Sequence, residues 1–156
     1  MKLIPFLTSA LFCLWGASAL FPAGCEKRSD EVVVGVSNDN PEMKAAREEA
    51  VKRFPEFLAA FDKRKIGDAF AVKVGFPVRN STEHEYMWIL VRKIQGDVLS
   101  GTLESEPVND VGLKYRDEVS ANRADIHDWM YAAKGKEPVG GFQSEVLRKL
   151  QKEQGR

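Results

Sequence analysis

The order in which hydrophobic periods follow one another along this chain predicts an α+β fold, with a mainly antiparallel sheet of about five strands, N-terminal helices and a C-terminal helix. Three observations carry that expectation. Apolar residues recur at helical spacing between positions 41 and 63, alternate or form short apolar runs broken by turn residues between 69 and 104, and return to helical spacing from 142 to 154. A helical stretch, then strands, then a helix is not the strict alternation of strand and helix that builds a doubly wound parallel sheet.

The elements follow in order. Residues 32–36 are a β-branched run ending in Ser37-Asn38-Asp39-Asn40, a short strand and a turn. Asn40 is suited to cap a helix, Pro41 to its first position and Glu42 to the positive end of its dipole. Met43, Ala46, Ala50 and Phe54 then share one face. Pro55 should bend or break this helix and start a second, with Phe57, Leu58 and Phe61 as its stripe. Phe70, Val72, Val74 and Phe76 alternate as in a strand with one buried face, ended by Pro77. Residues 85–94 form the longest strand candidate. Its two faces, Tyr86, Trp88 and Leu90 against Met87, Ile89 and Val91, are both apolar, so the strand should be central and Trp88 part of the core. Gln95-Gly96-Asp97 turns into a hairpin partner at 98–104, and further extended pieces are expected at 113–116 and 118–121. A last helix over 142–154, starting after Gly140-Gly141, carries Phe142, Val146, Leu147 and Leu150 on one side.

The strongest signal lies at the start. After Met1-Lys2 no charged residue occurs until Glu26, and the apolar run from Leu3 to Trp15 is followed by Gly16-Ala17-Ser18-Ala19. This is the pattern of an export signal. Ala17-Ser18-Ala19 suits cleavage to a soluble secreted form. Pro22-Ala23-Gly24-Cys25 resembles a lipobox, with Pro22 in place of the usual Leu, and a charged tether follows. An uncleaved membrane anchor is the third reading, against which Pro5 and Pro22 count. The favoured division is a lipoprotein-type signal peptide at 1–24, a tether at 25–31 lipidated at Cys25, and a single domain at 32–156. All three readings place the domain outside the cytosol, in the periplasm or cell envelope. Cys13 falls in the signal, so the mature chain keeps only Cys25 and no internal disulfide.

Composition narrows the partners. Lys and Arg number 23 and Asp and Glu 23, so no excess of positive charge draws the protein to nucleic acid or to an anionic membrane through a broad basic face. Nine Phe, three Trp and three Tyr supply apolar bulk for one core, and a monomer is expected. The candidates for chemistry are two clusters. Glu83-His84-Glu85 could supply a general base or a metal ligand, but it lacks the second His of a zinc helix and a strand splits it between two faces, so no metal is expected. His127-Asp128-Trp129 could present a stacking wall and an acceptor to a ligand, with Trp129 half-exposed, but the favoured reading makes Trp129 core and Asp128 a backbone cap. Gly140-Gly141 ahead of a helix is a weak anion signal, better explained as a flexible helix start.

Taken together, Phe70-Ala71-Val72-Lys73-Val74, Glu83-His84-Glu85-Tyr86-Met87-Trp88-Ile89, Gly101-Thr102-Leu103-Glu104 with Glu106-Pro107, Asp117-Glu118-Val119, Ile126-His127-Asp128-Trp129 and Gly140-Gly141-Phe142 resemble the YegJ-like bacterial family, a domain of unknown function. The resemblance runs from about Pro41 to Leu150. It implies the fold boundary and brings no activity, substrate or cofactor. The expectation is a small envelope-located binding or interaction module for a small molecule or protein, contacting it through a groove between Trp88 and Asp128-Trp129, with Glu83, His84 and His127 nearby. A hydrolytic or acid/base enzyme using His84 or His127 with neighbouring carboxylates is the alternative, and an inhibitor or immunity-type protein the third.

Overall fold

The first helix, α1 (Pro41–Asp62), begins where the side chain of Asn40 accepts the backbone N–H of Glu42 at 2.8 Å and of Met43 at 3.3 Å. The computed structural model describes residues 40–154. The signal peptide expected at 1–24, the tether expected at 25–31 with Cys25 and the strand expected at 32–36 lie outside the described residues.

One helix stands where two were expected. Pro55 removes an N–H from the ladder, yet α1 continues through it, because the apolar stripe stays in phase on both sides. Met43, Ala46, Ala50, Phe54, Phe57 and Phe61 are all buried along it. The sheet has six strands, one more than expected: β1 (Ala69–Pro77), β2 (His84–Gln95), β3 (Val98–Leu103), β4 (Glu118–Asn122), β5 (Ile126–Ala132) and the short β6 (Val139–Gly140). Their spatial order is β4-β3-β2-β1-β5-β6, and every neighbouring pair is antiparallel. The helix α2 (Phe142–Gln154) closes the fold with the bounds its periodicity predicts. Residues 113–116 are not a strand. They lie in the connection from β3 to β4, where Lys114 N–H bonds the Asp117 carboxylate and Arg116 N–H the Leu103 carbonyl.

One face of the sheet is covered and makes the core. Phe70, Val72 and Val74 of β1, Met87, Ile89 and Val91 of β2, Leu99 and Leu103 of β3, and Ile126 and Trp129 of β5 are buried there, with the stripe of α1 among them. Aromatic contacts dominate this layer: Phe57 meets Phe54, Phe61, Phe70 and Trp129 with ring centroids 5.2 to 6.3 Å apart. The opposite face carries the alternate residues of the same strands, and these are half-buried or exposed.

Two bulges alter the alternation. In β2 the register shifts between Val91 and Lys93, so Arg92 is extra and Ile94 packs on the core. In β5 it shifts opposite Lys73 and Val74, so two residues, His127 and Asp128, separate the core-facing Ile126 and Trp129 where simple alternation would allow one.

Candidate functional site

Trp88 leaves its expected place, and Trp129 takes the favoured one of its two. Trp129 was expected either in the core, with Asp128 as a backbone cap, or half-exposed at a groove. It is fully buried, its indole Nε1–H donates to the Ala50 carbonyl at 2.6 Å, and its ring lies between Phe57, Tyr131 and Phe142. The bulge at His127 is the cause, since it turns Trp129 inward. Trp88, expected in the core, is half-buried on the opposite face, alternating with Met87 and Ile89. The two indoles lie on opposite sides of the sheet, so no groove forms between them.

Asp128 is equally committed to structure. Its carboxylate is buried and accepts three backbone N–H groups: Trp129 at 2.8 Å, Phe142 at 3.0 Å and Gln143 at 2.9 Å. Burial raises its pKa, and those three hydrogen bonds oppose the rise. The side chain thus occupies the first-turn N–H groups of α2, the place where Gly140-Gly141 suggested an anion could sit. Gly140, at φ 92°, cannot carry a side chain, since a Cβ there would run into the Trp129 carbonyl and ring.

Glu83 and His84 are exposed, whereas Glu85 is fastened to the connection from β3 to β4. Its carboxylate accepts Val108 N–H at 2.7 Å and Asn109 N–H at 2.8 Å. The Glu83-His84-Glu85 cluster therefore does not act as a unit. Among the described residues no group of three or more His, Cys, Asp or Glu is placed to hold a metal, and no helix is long and apolar enough to cross a membrane.

What the fold does bring together is a row on the opposite face, uncovered by α1 among the described residues. His84, Tyr86, Trp88 and Leu90 alternate along β2, facing Pro77, Gly75, Lys73 and Ala71 of β1. Tyr86 lies across Gly75, where a Cβ would press on its ring, and meets His127 edge to face with centroids 4.5 Å apart. His127 is half-buried and its Nδ1, covered, has no hydrogen-bond partner among the described residues. Burial, then the charges of Arg47 and Lys73, lower its pKa to about 4; Asp125 opposes this and His84 adds to it. At neutral pH this imidazole is uncharged and offers one donor and one acceptor. So His84 lies near enough for its charge to reach His127, Tyr86 touches His127 directly, and the Asp128 carboxylate is turned to the start of α2 instead.

Residues 40–156 match the model of a family described as an uncharacterized protein conserved in bacteria, DUF2314. The chain belongs to this family. It is 29% identical over 147 residues to "Uncharacterized protein YegJ" of Escherichia coli (strain K12), a match that covers 94% of this chain and 88% of that one. No solved structure matches the chain. In this DUF2314 domain, sequence reasoning missed Tyr86 and Lys73 as partners of His127. The available signal was Gly75 directly across from an aromatic residue, a pair that lets a ring lie flat on the neighbouring strand.

Proposed function

We propose that the protein is a small binding module of the cell envelope, exported by its first 24 residues, held by lipid at Cys25, and docking a protein partner through the uncovered sheet face. The observation that supports this reading is the row Tyr86, Trp88 and Leu90, large apolar side chains left half-buried on a face that α1 does not cover, with the neutral His127 at one end and Lys73 between Trp88 and β5. Half-exposed Tyr and Trp anchors rimmed by polar groups are what protein interfaces use. A flat row suits a protein better than a small molecule, whose sites are concave, and neither the depression bordered by Arg92 and Lys93 nor the one bordered by Glu145 and Lys149 includes Tyr86, Trp88 or His127. Acid/base catalysis gains little support, because an imidazole held near pKa 4 is a weak base and the Asp128 carboxylate is spoken for by backbone N–H groups.

A photo-crosslinking residue at position 88 or 90 tests this in living cells, with position 48 on α1 as the comparison. The expected result is one discrete adduct from the sheet positions only, abolished by Lys73→Glu and moving from the membrane to the soluble fraction with Cys25→Ser. An adduct of twice the protein's mass would identify a second copy as the partner. The same adducts from position 48, or none from 88 and 90, would overturn the docking surface.

A further inference from the structure

The bulged end of β2 carries a second feature of the uncovered face, built from none of the residues used above. With strict alternation Arg92 and Lys93 would point to opposite sides of the sheet. The bulge inserts Arg92 between the pairs Val91–Gly101 and Lys93–Ser100, and both cations border one depression of about 440 Å³. Its floor is Ser100, Gly101 and Thr102 of β3, and its far rim Glu118, Val119 and Ser120 of β4. Gly101 is required there, since a Cβ would overlap the Leu90 carbonyl. Ser100 and Ser120 face each other across the strands with hydroxyl oxygens 2.9 Å apart. One hydroxyl donates to the other, which leaves the second O–H free to donate outward. Among the described residues neither Arg92 nor Lys93 makes an ion pair or a side-chain hydrogen bond.

We infer that this depression binds a phosphate group, with Arg92 and Lys93 as the charge partners and the Ser100–Ser120 pair as the hydroxyl donor. A guanidinium and an ammonium side by side complement a phosphate's charge and its several acceptor oxygens, and a neighbouring hydroxyl adds a directed hydrogen bond. Glu118 at the far rim disfavours polyanions and sets the preference for a single phosphate or phosphate ester. The group can belong to free phosphate or to a phospholipid headgroup, and the test separates the two.

Inorganic phosphate is titrated into the full chain against sodium chloride of equal ionic strength, following the amide resonances of Ser100, Gly101, Thr102 and Ser120. A companion assay measures co-sedimentation with phosphatidylglycerol vesicles. The expected result is saturable shifts confined to those amides, an affinity about tenfold weaker in Arg92→Gln/Lys93→Gln, and tighter binding in Glu118→Gln. Lys44→Gln/Lys52→Gln, which removes the same charge from α1, should leave the affinity unchanged. Co-sedimentation abolished by Arg92→Gln/Lys93→Gln would assign the phosphate to a lipid; amide shifts without co-sedimentation would assign it to a soluble ligand. No saturable response in either assay, or an equal response from the α1 variant, would overturn the site. Circular dichroism of the variants guards against loss of fold, which is not expected at two exposed positions.

Discussion

The two faces of one sheet both carry aromatic side chains and put them to different use. On the covered face Phe57 and Phe61 of α1 join Phe70, Trp129, Tyr131 and Phe142 in a continuous layer of ring contacts. On the uncovered face Tyr86 has one ring partner, His127, and Trp88 is half-exposed. The same strands supply both faces, so what separates core from candidate surface is side-chain parity, and a bulge can reverse parity partway along a strand.

Trp129→Ala should break the covered face outright. It removes a fully buried indole and its hydrogen bond to the Ala50 carbonyl, and substitutions of this kind cost about 3–5 kcal/mol, a large share of the stability of a small domain. Urea unfolding followed by circular dichroism should find the variant unfolded or close to it. A midpoint near that of the wild type would mean that Trp129 is not the centre of the core.

Asp128→Ala comes next. It leaves the Phe142 and Gln143 N–H groups at the start of α2 without their acceptor, a loss of about 2 kcal/mol by the usual cost of an N-terminal cap in a buried setting. Hydrogen exchange should show the loss first in α2, since α2 depends on this contact and α1 has its own cap in Asn40. Uniform loss across both helices would place Asp128 in the global core instead.

How much of this comparison was legible in the sequence depended on the periodicity being unbroken. The α1 stripe, the β1 alternation and the bounds of α2 follow from spacing alone, because burial enforces one period along each. Trp88 was misplaced, and Trp129 was left open between core and groove, for different reasons. Both faces of β2 are apolar in sequence, and composition cannot tell a covered apolar face from an uncovered one. Trp129 follows Asp125-Ile126-His127-Asp128, and alternation from the buried Ile126 sends it outward; only the bulge brings it in. The approach of His127 to Tyr86 depends on β5 returning beside β1, a pairing between residues more than 50 positions apart that no local pattern records.

A smaller effect follows from His127. Its neutral form belongs to the folded state, with a pKa lowered from 6.5 to about 4, so between these values the unfolded chain binds more protons. Stability is then complete above pH 6.5 and falls as the pH drops toward 4. The half-exposed ring keeps the change modest, since solvent screens it. His127→Phe should flatten the slope over this window while other titrations remain, and keep the ring contact with Tyr86. Equal slopes in variant and wild type would show that the imidazole is not desolvated in the fold.

The smallest stability effect is expected for Trp88→Ala, and it sharpens the comparison most. If the uncovered face contributed to the fold as the covered face does, truncating this indole would cost as much as truncating Trp129. The ring is half-buried, and its neighbour across the sheet is Lys73 rather than another ring, so the loss should be about 1 kcal/mol. The backbone at this position is held independently of the side chain: Trp88 N–H donates to the Ser105 hydroxyl at 3.0 Å and its carbonyl accepts Glu104 N–H at 2.8 Å. Truncation therefore leaves β2 in register, and the variant should unfold at nearly the wild-type urea concentration while its adduct from a crosslinker at position 90 disappears. An intact fold that no longer captures its partner is the signature of a residue retained for binding. A loss of stability matching that of Trp129→Ala would instead make Trp88 a second core anchor and leave the uncovered face without its main docking residue.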